Sequence, residues 1–184
     1  MILSLDCSST AIGWALFDED DLVSYGRLKP TDSDADWKDR TSDLCRQLFT
    51  LINDTKPSVI YQEQVPMTAT GQGGAQTLAK LYYVQGATRV IECDMCNVPV
   101  HYIEVGTWRK NLGINTGKNQ HRDAKKIKSI QKANELFDIS LPLVYTKSGN
   151  YSEKKSNDDT ADAINLYCST RKKYRPCAFI KGVK

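Results

Sequence analysis

The chain has no apolar run approaching the roughly 18–20 residues that span a bilayer, so a membrane helix is excluded and no membrane partner is expected. Its start, Met1-Ile2-Leu3-Ser4-Leu5-Asp6, has no basic segment and meets a carboxylate at position 6, which is not the pattern of an export signal. At 184 residues the chain can bury an ordinary core, so its six cysteines read as reduced thiols and the expected location is the cytoplasm. Cys93-Asp-Met-Cys96 has metal-site spacing, yet no second pair and no nearby histidine complete a zinc set. There is no internal repeat and no linker between two domains. Nor is there much net charge: the +3 total does not by itself call for nucleic acid.

That total hides a polarity. Residues 1–63 hold 6 basic and 12 acidic side chains, residues 118–155 hold 9 and 4, and residues 171–184 hold six basic groups and no acid. A chain polarised in this way sets a basic surface against an anionic partner.

Short apolar runs at Ile2–Leu5, Ile12–Phe17 and Leu22–Leu28 predict an antiparallel meander. Asp34–Leu51 spaces Trp37, Thr41, Leu44, Leu48 and Leu51 as an amphipathic helix. Ser58–Tyr61 reads as a central strand ending at Glu63, and the Gly-rich stretch Pro66–Gln76 as a loop. Thr77–Ile91 is expected to be helical, with Leu78, Leu81, Tyr82 and Gln85 on one side. A strand over Val98–Val105, a short helix over Gly106–Leu112, a basic helix over Gln120–Phe137 and a last helix over Asp158–Arg171 follow, with Ile139–Lys155 irregular. The order β-β-β-α-β-α-β-α-α predicts an α/β fold, a mixed five-stranded sheet with helices on both faces, which is the element order of the ribonuclease H-like fold. Residues 1–170 form that domain and 171–184 a basic tail.

Four carboxylates stand out by position. Asp6 ends the first strand, and Glu63 ends the strand expected beside it. Asp159 and Asp162 are three apart on one face of the last helix, while the adjacent Asp158 is expected to point elsewhere. Each alone is equally a solvated element end or a helix cap. Together they form a hard oxygen set that selects Mg²⁺ or Mn²⁺, and two such ions about 3.5–4 Å apart can hold a scissile phosphate. No small-molecule cofactor is expected.

Leu5-Asp6-Cys7-Ser8-Ser9-Thr10-Ala11-Ile12-Gly13-Trp14-Ala15 resembles the first motif of RuvC-type Holliday junction resolvases. Glu63-Gln64-Val65, followed by Ala79-Lys80 and Gln85-Gly86-Ala87, resembles their second motif, and Asp159-Thr160-Ala161-Asp162-Ala163-Ile164 their third. The likeness covers residues 1–17, 59–91 and 156–168. It implies that Asp6, Glu63, Asp159 and Asp162 are catalytic metal ligands for two Mg²⁺ ions, with Mn²⁺ as a substitute, and that Asp6 bridges them. It also implies a homodimer that hydrolyses phosphodiesters at four-way (Holliday) junctions by paired symmetric nicks, leaving 5′-phosphate and 3′-hydroxyl ends.

Two departures stand out. The family often has an aromatic residue three positions after the strand-end Glu. Here that place holds Pro66, followed by Met67, an apolar wedge without a stacking face. Ile139–Lys155 is also longer than in typical cellular members. These departures point to a bacteriophage or other viral member with relaxed specificity for branched DNA, at work in the infected host cell.

Lys118, His121, Arg122, Lys125, Lys126, Lys128 and Lys132 cluster on or just before one helix and suit salt-dependent phosphate contacts, though a solvated face has the same pattern. The resemblance places Lys118 and Lys125 near the scissile phosphate. With Pro66, Met67, Arg122 and Lys126 they form the expected DNA-binding set. Trp14 and Trp108 read as core. Three alternatives remain: a terminase-type or RNA-cutting nuclease of the same fold, a non-catalytic junction-binding protein, and an actin-like ATPase, which needs two lobes where this length provides one.

Overall fold

The computed structural model describes residues 1–67, 74–114, 122–152 and 155–171. The meander is present as β1 (Ile2–Cys7), β2 (Ile12–Asp18) and β3 (Asp21–Leu28). Helix α1 (Trp37–Thr55) leads to β4 (Val59–Gln64), α2 (Gly74–Arg89) and β5 (Val100–Glu104). Among the described residues three helices follow: α3 (Val105–Asn111), α4 (Arg122–Phe137) and α5 (Asp158–Cys168). The sheet order is β3-β2-β1-β4-β5, with β1, β2 and β3 antiparallel and β4 and β5 parallel to β1 and to each other. The expected mixed five-stranded sheet is therefore observed.

Strand alternation divides the core into two layers. Leu3, Leu5, Ile12, Leu16 and Ile60 pack against Leu44, Leu48 and Ile52 of α1. On the opposite face Ala15, Phe17 and Leu22 pack against α4 and α5 through Ile130, Phe137, Ala161 and Ile164. Helix α1 starts where Asp36 accepts the Lys38 N–H (2.9 Å) and stops where Lys56 turns left-handed and donates to the Ile52 carbonyl (2.8 Å). Helix α5 is the most deeply set: ten of its eleven residues are buried, Asp158 and Asp162 among them. No described helix is long and apolar enough to cross a membrane.

Several boundaries differ from expectation. Helix α2 begins at Gly74, inside the expected loop, and buries Val84 and Thr88; Tyr82 and Tyr83 lie exposed. It runs on into a π-helical turn, Val90–Met95, whose wider winding carries Glu92 into the core (0% exposed). There the Gln62 amide lies between Thr88 Oγ1 (3.1 Å) and the Glu92 carboxyl (2.7 Å). Burial pushes the Glu92 carboxyl up to about 8, so it is largely protonated at neutral pH while its oxygens accept from the Gln62 side-chain N–H. The expected irregular stretch holds a small hairpin, with Tyr145 bridged to Tyr151 and the Ser152 N–H donating to the Val144 carbonyl (2.9 Å). The last helix ends at Cys168. Arg171 pairs with Asp20, and residues 172–184 of the basic tail lie outside the described residues.

Candidate metal and phosphate site

The site forms where two parallel strand ends meet the start of a helix. Strands β1 and β4 pair in register through Leu5 and Gln62, so the next residues of each, Asp6 and Glu63, emerge side by side. Both belong to the alternate set that faces α5. Gly13 is the cross-strand partner of Asp6 on β2. A Cβ built there would lie 2.0 Å from the Asp159 carbonyl oxygen. The missing side chain is thus what lets the first turn of α5 lie on the sheet beside Asp6. Thr160 Oγ1 fixes that turn by donating to the Gly26 carbonyl (2.7 Å).

Asp6, Glu63, Asp159 and Asp162 all line one cavity of about 270 Å³. Asp158 lines it too, which corrects the expectation that it points away. It is 3% exposed, accepts from the Tyr151 hydroxyl (3.0 Å) and pairs with Lys126 (2.6 Å). At a helix start the first-turn side chains splay, and Lys126 of α4 draws this one inward. Arg109, Arg122, Lys125 and Lys126 supply the opposing cationic wall, and Pro66 stands on the rim. Met67 is 88% exposed and borders a neighbouring hollow with Pro66, Glu104 and Val105. Lys118 and His121 lie outside the described residues.

Three of the four carboxylates have turned to a partner in the protein. Glu63 accepts from the Trp108 indole N–H (2.8 Å). Asp159 pairs with Arg27 of β3 (2.7 Å). Asp162 accepts from Arg109 Nη2 (3.0 Å) and from the Ser129 hydroxyl, which is itself held by Asn165. Accordingly, among the described residues no three carboxylates, thiols or imidazoles are grouped as a ready metal-holding cluster. The donor chemistry nevertheless fits a hard divalent cation: all four groups are oxygen anions, they come from three elements, and they share one hollow.

Their charge state shows the strain of sharing it. Desolvation, then Glu63, Asp162 and Asp159, push the Asp6 carboxyl well above its ordinary value. Desolvation followed by Asp162 raises Glu63 to about 7, and desolvation raises Asp159 to about 6 despite Arg27. Asp162 is raised by burial against the pull of Arg109. Between pH 5 and 8 the native state therefore holds protons that the unfolded chain has released, so stability falls as pH rises. Urea unfolding in EDTA is expected to give a lower midpoint at pH 8 than at pH 5.5, with Mg²⁺ closing much of the gap. A midpoint that rises with pH would show that the protein's own cations have already neutralised the cluster.

Trp108 and Arg109 are the functional residues that sequence reasoning missed. Trp108 is core, as expected (0% exposed), but its one polar atom is spent on Glu63. The available signal was a Trp-Arg pair just beyond a strand end on the side where Asp6 and Glu63 emerge.

No protein-family model matches the chain, and no curated protein matches it. Solved structures do. Thermus thermophilus RuvC in complex with a Holliday junction substrate is similar at a TM-score of 0.60 and 14% identity, covering 90% of this chain and 88% of that one. A second structure of Thermus thermophilus RuvC gives 0.55 and 13%, covering 90% and 89%. The yeast mitochondrial Holliday junction resolvase Ydc2 gives 0.48 and 16%, covering 90% and 75%. The fold is ribonuclease H-like α/β, in the arrangement of RuvC.

Proposed function

We propose that the protein is a divalent-metal-dependent endonuclease that cuts four-way and other branched DNA. One observation carries this reading: the acidic first turn of α5 is laid over the ends of β1 and β4, so that Asp6, Glu63, Asp159 and Asp162 share a hollow faced by Arg122 and Lys125. That is an anion-lined pocket inside a cation-lined mouth, which suits a metal below and a phosphodiester above. The likeness of fold to a RuvC that binds junction DNA supports the choice of substrate.

In this reading the four carboxylates hold two Mg²⁺ or Mn²⁺ ions. When bound, those ions neutralise the scissile phosphate and acidify the attacking water. The chain's own residues set the stage. Trp108 fixes the rotamer of Glu63, and Ser129 that of Asp162. Lys125 and Arg122 take flanking phosphates. Pro66 and the exposed Met67 press on bases at the crossover as an apolar wedge. Water would attack the phosphorus in line, losing a proton to solvent, while the P–O3′ bond breaks and the 3′-oxygen takes up a proton to leave as the hydroxyl. Lys126 enters this scheme differently from the sequence expectation, because its ammonium is engaged by Asp158 and its role is to order the helix start.

A junction needs two opposed cuts, and so two active sites. Helix α2 presents Ala75, Ala79, Tyr82, Tyr83 and Gly86 on an exposed face, and we infer that a second copy packs there. The wedge without an aromatic and the added hairpin fit a viral enzyme of broad substrate range acting in the cytoplasm of an infected cell.

The test is incubation with a synthetic four-way junction, a linear duplex and an RNA–DNA hybrid, each with Mg²⁺, Mn²⁺ or EDTA, alongside sedimentation of the free protein. Paired nicks in the junction with either metal, little cutting of the duplex, and twice the chain mass are expected. A junction that survives Mn²⁺ leaves a binding protein without catalysis. Preference for the hybrid moves the enzyme to the RNA-cutting branch of the fold.

A further inference from the structure

Arg109 is placed where a cation would otherwise be needed. Its guanidinium comes from α3, sits 3.0 Å from Asp162 Oδ2 and lines the same hollow as Asp6 and Glu63. It shares that hollow with Asp6, Glu63 and Asp162, so one guanidinium stands among three carboxylates. Asp159, the fourth, has its own cation in Arg27, which stands outside the hollow.

The seat of Arg109 is incomplete. Its Nε–H is buried with no partner, which is costly for a charged donor. Its guanidinium carbon lies 4.8 Å from the centre of the Trp108 ring, a face that can carry a planar cation without holding it at one angle. A divalent cation entering among Asp6, Glu63 and Asp162 repels a guanidinium in that position. Arg109 can leave Asp162 by rotating across the indole while staying at the mouth. There its free fork, with the unpaired Nε–H, matches two oxygens of a phosphodiester.

We propose that Arg109 is a resident counter-ion that holds the carboxylate cluster together without metal, gives up Asp162 to a divalent cation, and then grips the substrate phosphate. The exchange ties metal binding to substrate binding, because the released guanidinium regains a full set of partners only on an anion. The phosphate half rests on the nuclease reading above; the exchange at Asp162 does not.

Mn²⁺ binding to the full chain without DNA tests the exchange. Arg109→Gln is expected to bind Mn²⁺ about tenfold tighter than the parent, and Arg109→Lys to stay close to the parent, because each removes or keeps a competing charge. With Ca²⁺ in place of Mg²⁺, a larger ion that takes the same oxygen ligands and is expected not to support cleavage, Arg109→Gln is expected to reduce the salt slope of junction binding by about one. If Arg109→Gln does not fold in EDTA, the parent decides. Its ¹⁵N-labelled Arg109 Nε–H resonance, assigned with Arg109→Lys, is expected to move on adding Mg²⁺ and to stay put in Asp6→Asn. Equal Mn²⁺ affinity in Arg109→Gln and the parent, with binding lost in Asp6→Asn, overturns the exchange while leaving the metal site standing. A parent that binds no Mn²⁺ at all overturns the exchange and the nuclease reading together.

Discussion

Asp6→Asn is expected to lower junction cleavage by at least about 10³-fold, to leave junction binding in EDTA within about twofold, and to raise the melting temperature of the metal-free protein. The three effects have one cause. Asp6 stands at the end of β1, desolvated and repelled by Glu63, Asp162 and Asp159. The amide has the same shape and no charge, so it relieves that repulsion while removing a hard anionic ligand. A gain of at least about 1 kcal/mol, worth about 2–4 °C in a chain of this size, follows the common trade between an active site and stability. Arg109 loses part of its counter-charge in the variant but keeps Asp162 and Glu63 as neighbours. Binding in EDTA survives because, without metal, Arg109 stays on Asp162 and the phosphate contacts lie on Arg122 and Lys125. Thermal melting in EDTA, a gel-shift assay and a cleavage assay on one preparation read all three. A drop in melting temperature would mean that the carboxylate is a structural group, and retained cleavage would move the metal away from β1.

The parts of the fold that depend on local pattern were legible in the sequence. β1 and β2 alternate apolar residues or run wholly apolar between turn residues, and α1 shows its buried stripe at three- and four-residue spacing. Asp6 and Glu63 were legible as the carboxylates at the ends of β1 and β4; each alone suits a solvated strand end as well, and it was the set with Asp159 and Asp162 that marked them. What was not legible is what depends on contacts across the chain. Trp108 reaches Glu63 over 45 positions, and Arg109 reaches Asp162 over 53. No local period announces either contact. Asp158 was misread because helical spacing assigns it to another face, whereas Lys126 and Tyr151, from elements outside its helix, decide where it goes. Helix α2 was legible as a helix, but its inward face was not: only Val84 and Thr88 are buried, while Leu78, Leu81 and Gln85 are half-buried and Tyr82 is exposed. The π-helical turn was unreadable for a related reason: its extra residue per turn exists to bury Glu92, and a buried carboxylic acid near neutrality contradicts the polarity on which pattern reading relies.

Gly13 shows how much of the site rests on the absence of one side chain. Gly13→Ala adds a single methyl group at a position whose Cβ would meet the Asp159 carbonyl oxygen at 2.0 Å, its carbon at 2.2 Å and the Thr160 nitrogen at 2.7 Å. All three are backbone atoms, so no rotamer change relieves them. The first turn of α5 must move by about 1.5 Å to restore ordinary contact. It has little freedom to do so, because Thr160 is tied to the Gly26 carbonyl and ten of the helix's eleven residues are packed inside. A cost of about 3 kcal/mol or more is expected, or roughly 6–12 °C of melting temperature. The same shift carries Asp159 and Asp162 away from Asp6, so cleavage is expected to fall by at least about 10²-fold even where the protein remains folded, since a displacement near 1 Å is enough for that. Gly106→Ala is the matching control. A Cβ there has nothing within 4 Å, and alanine is the better helix residue, so the same chemical change on α3 is expected to stabilise the chain by up to about 0.5 kcal/mol. Opposite signs for the two variants would locate the effect in the contact between β2 and α5. A Gly13→Ala protein that melts with the parent would mean that α5 does not lie on the strand, and the approach of Asp159 and Asp162 to Asp6 would lose its physical basis.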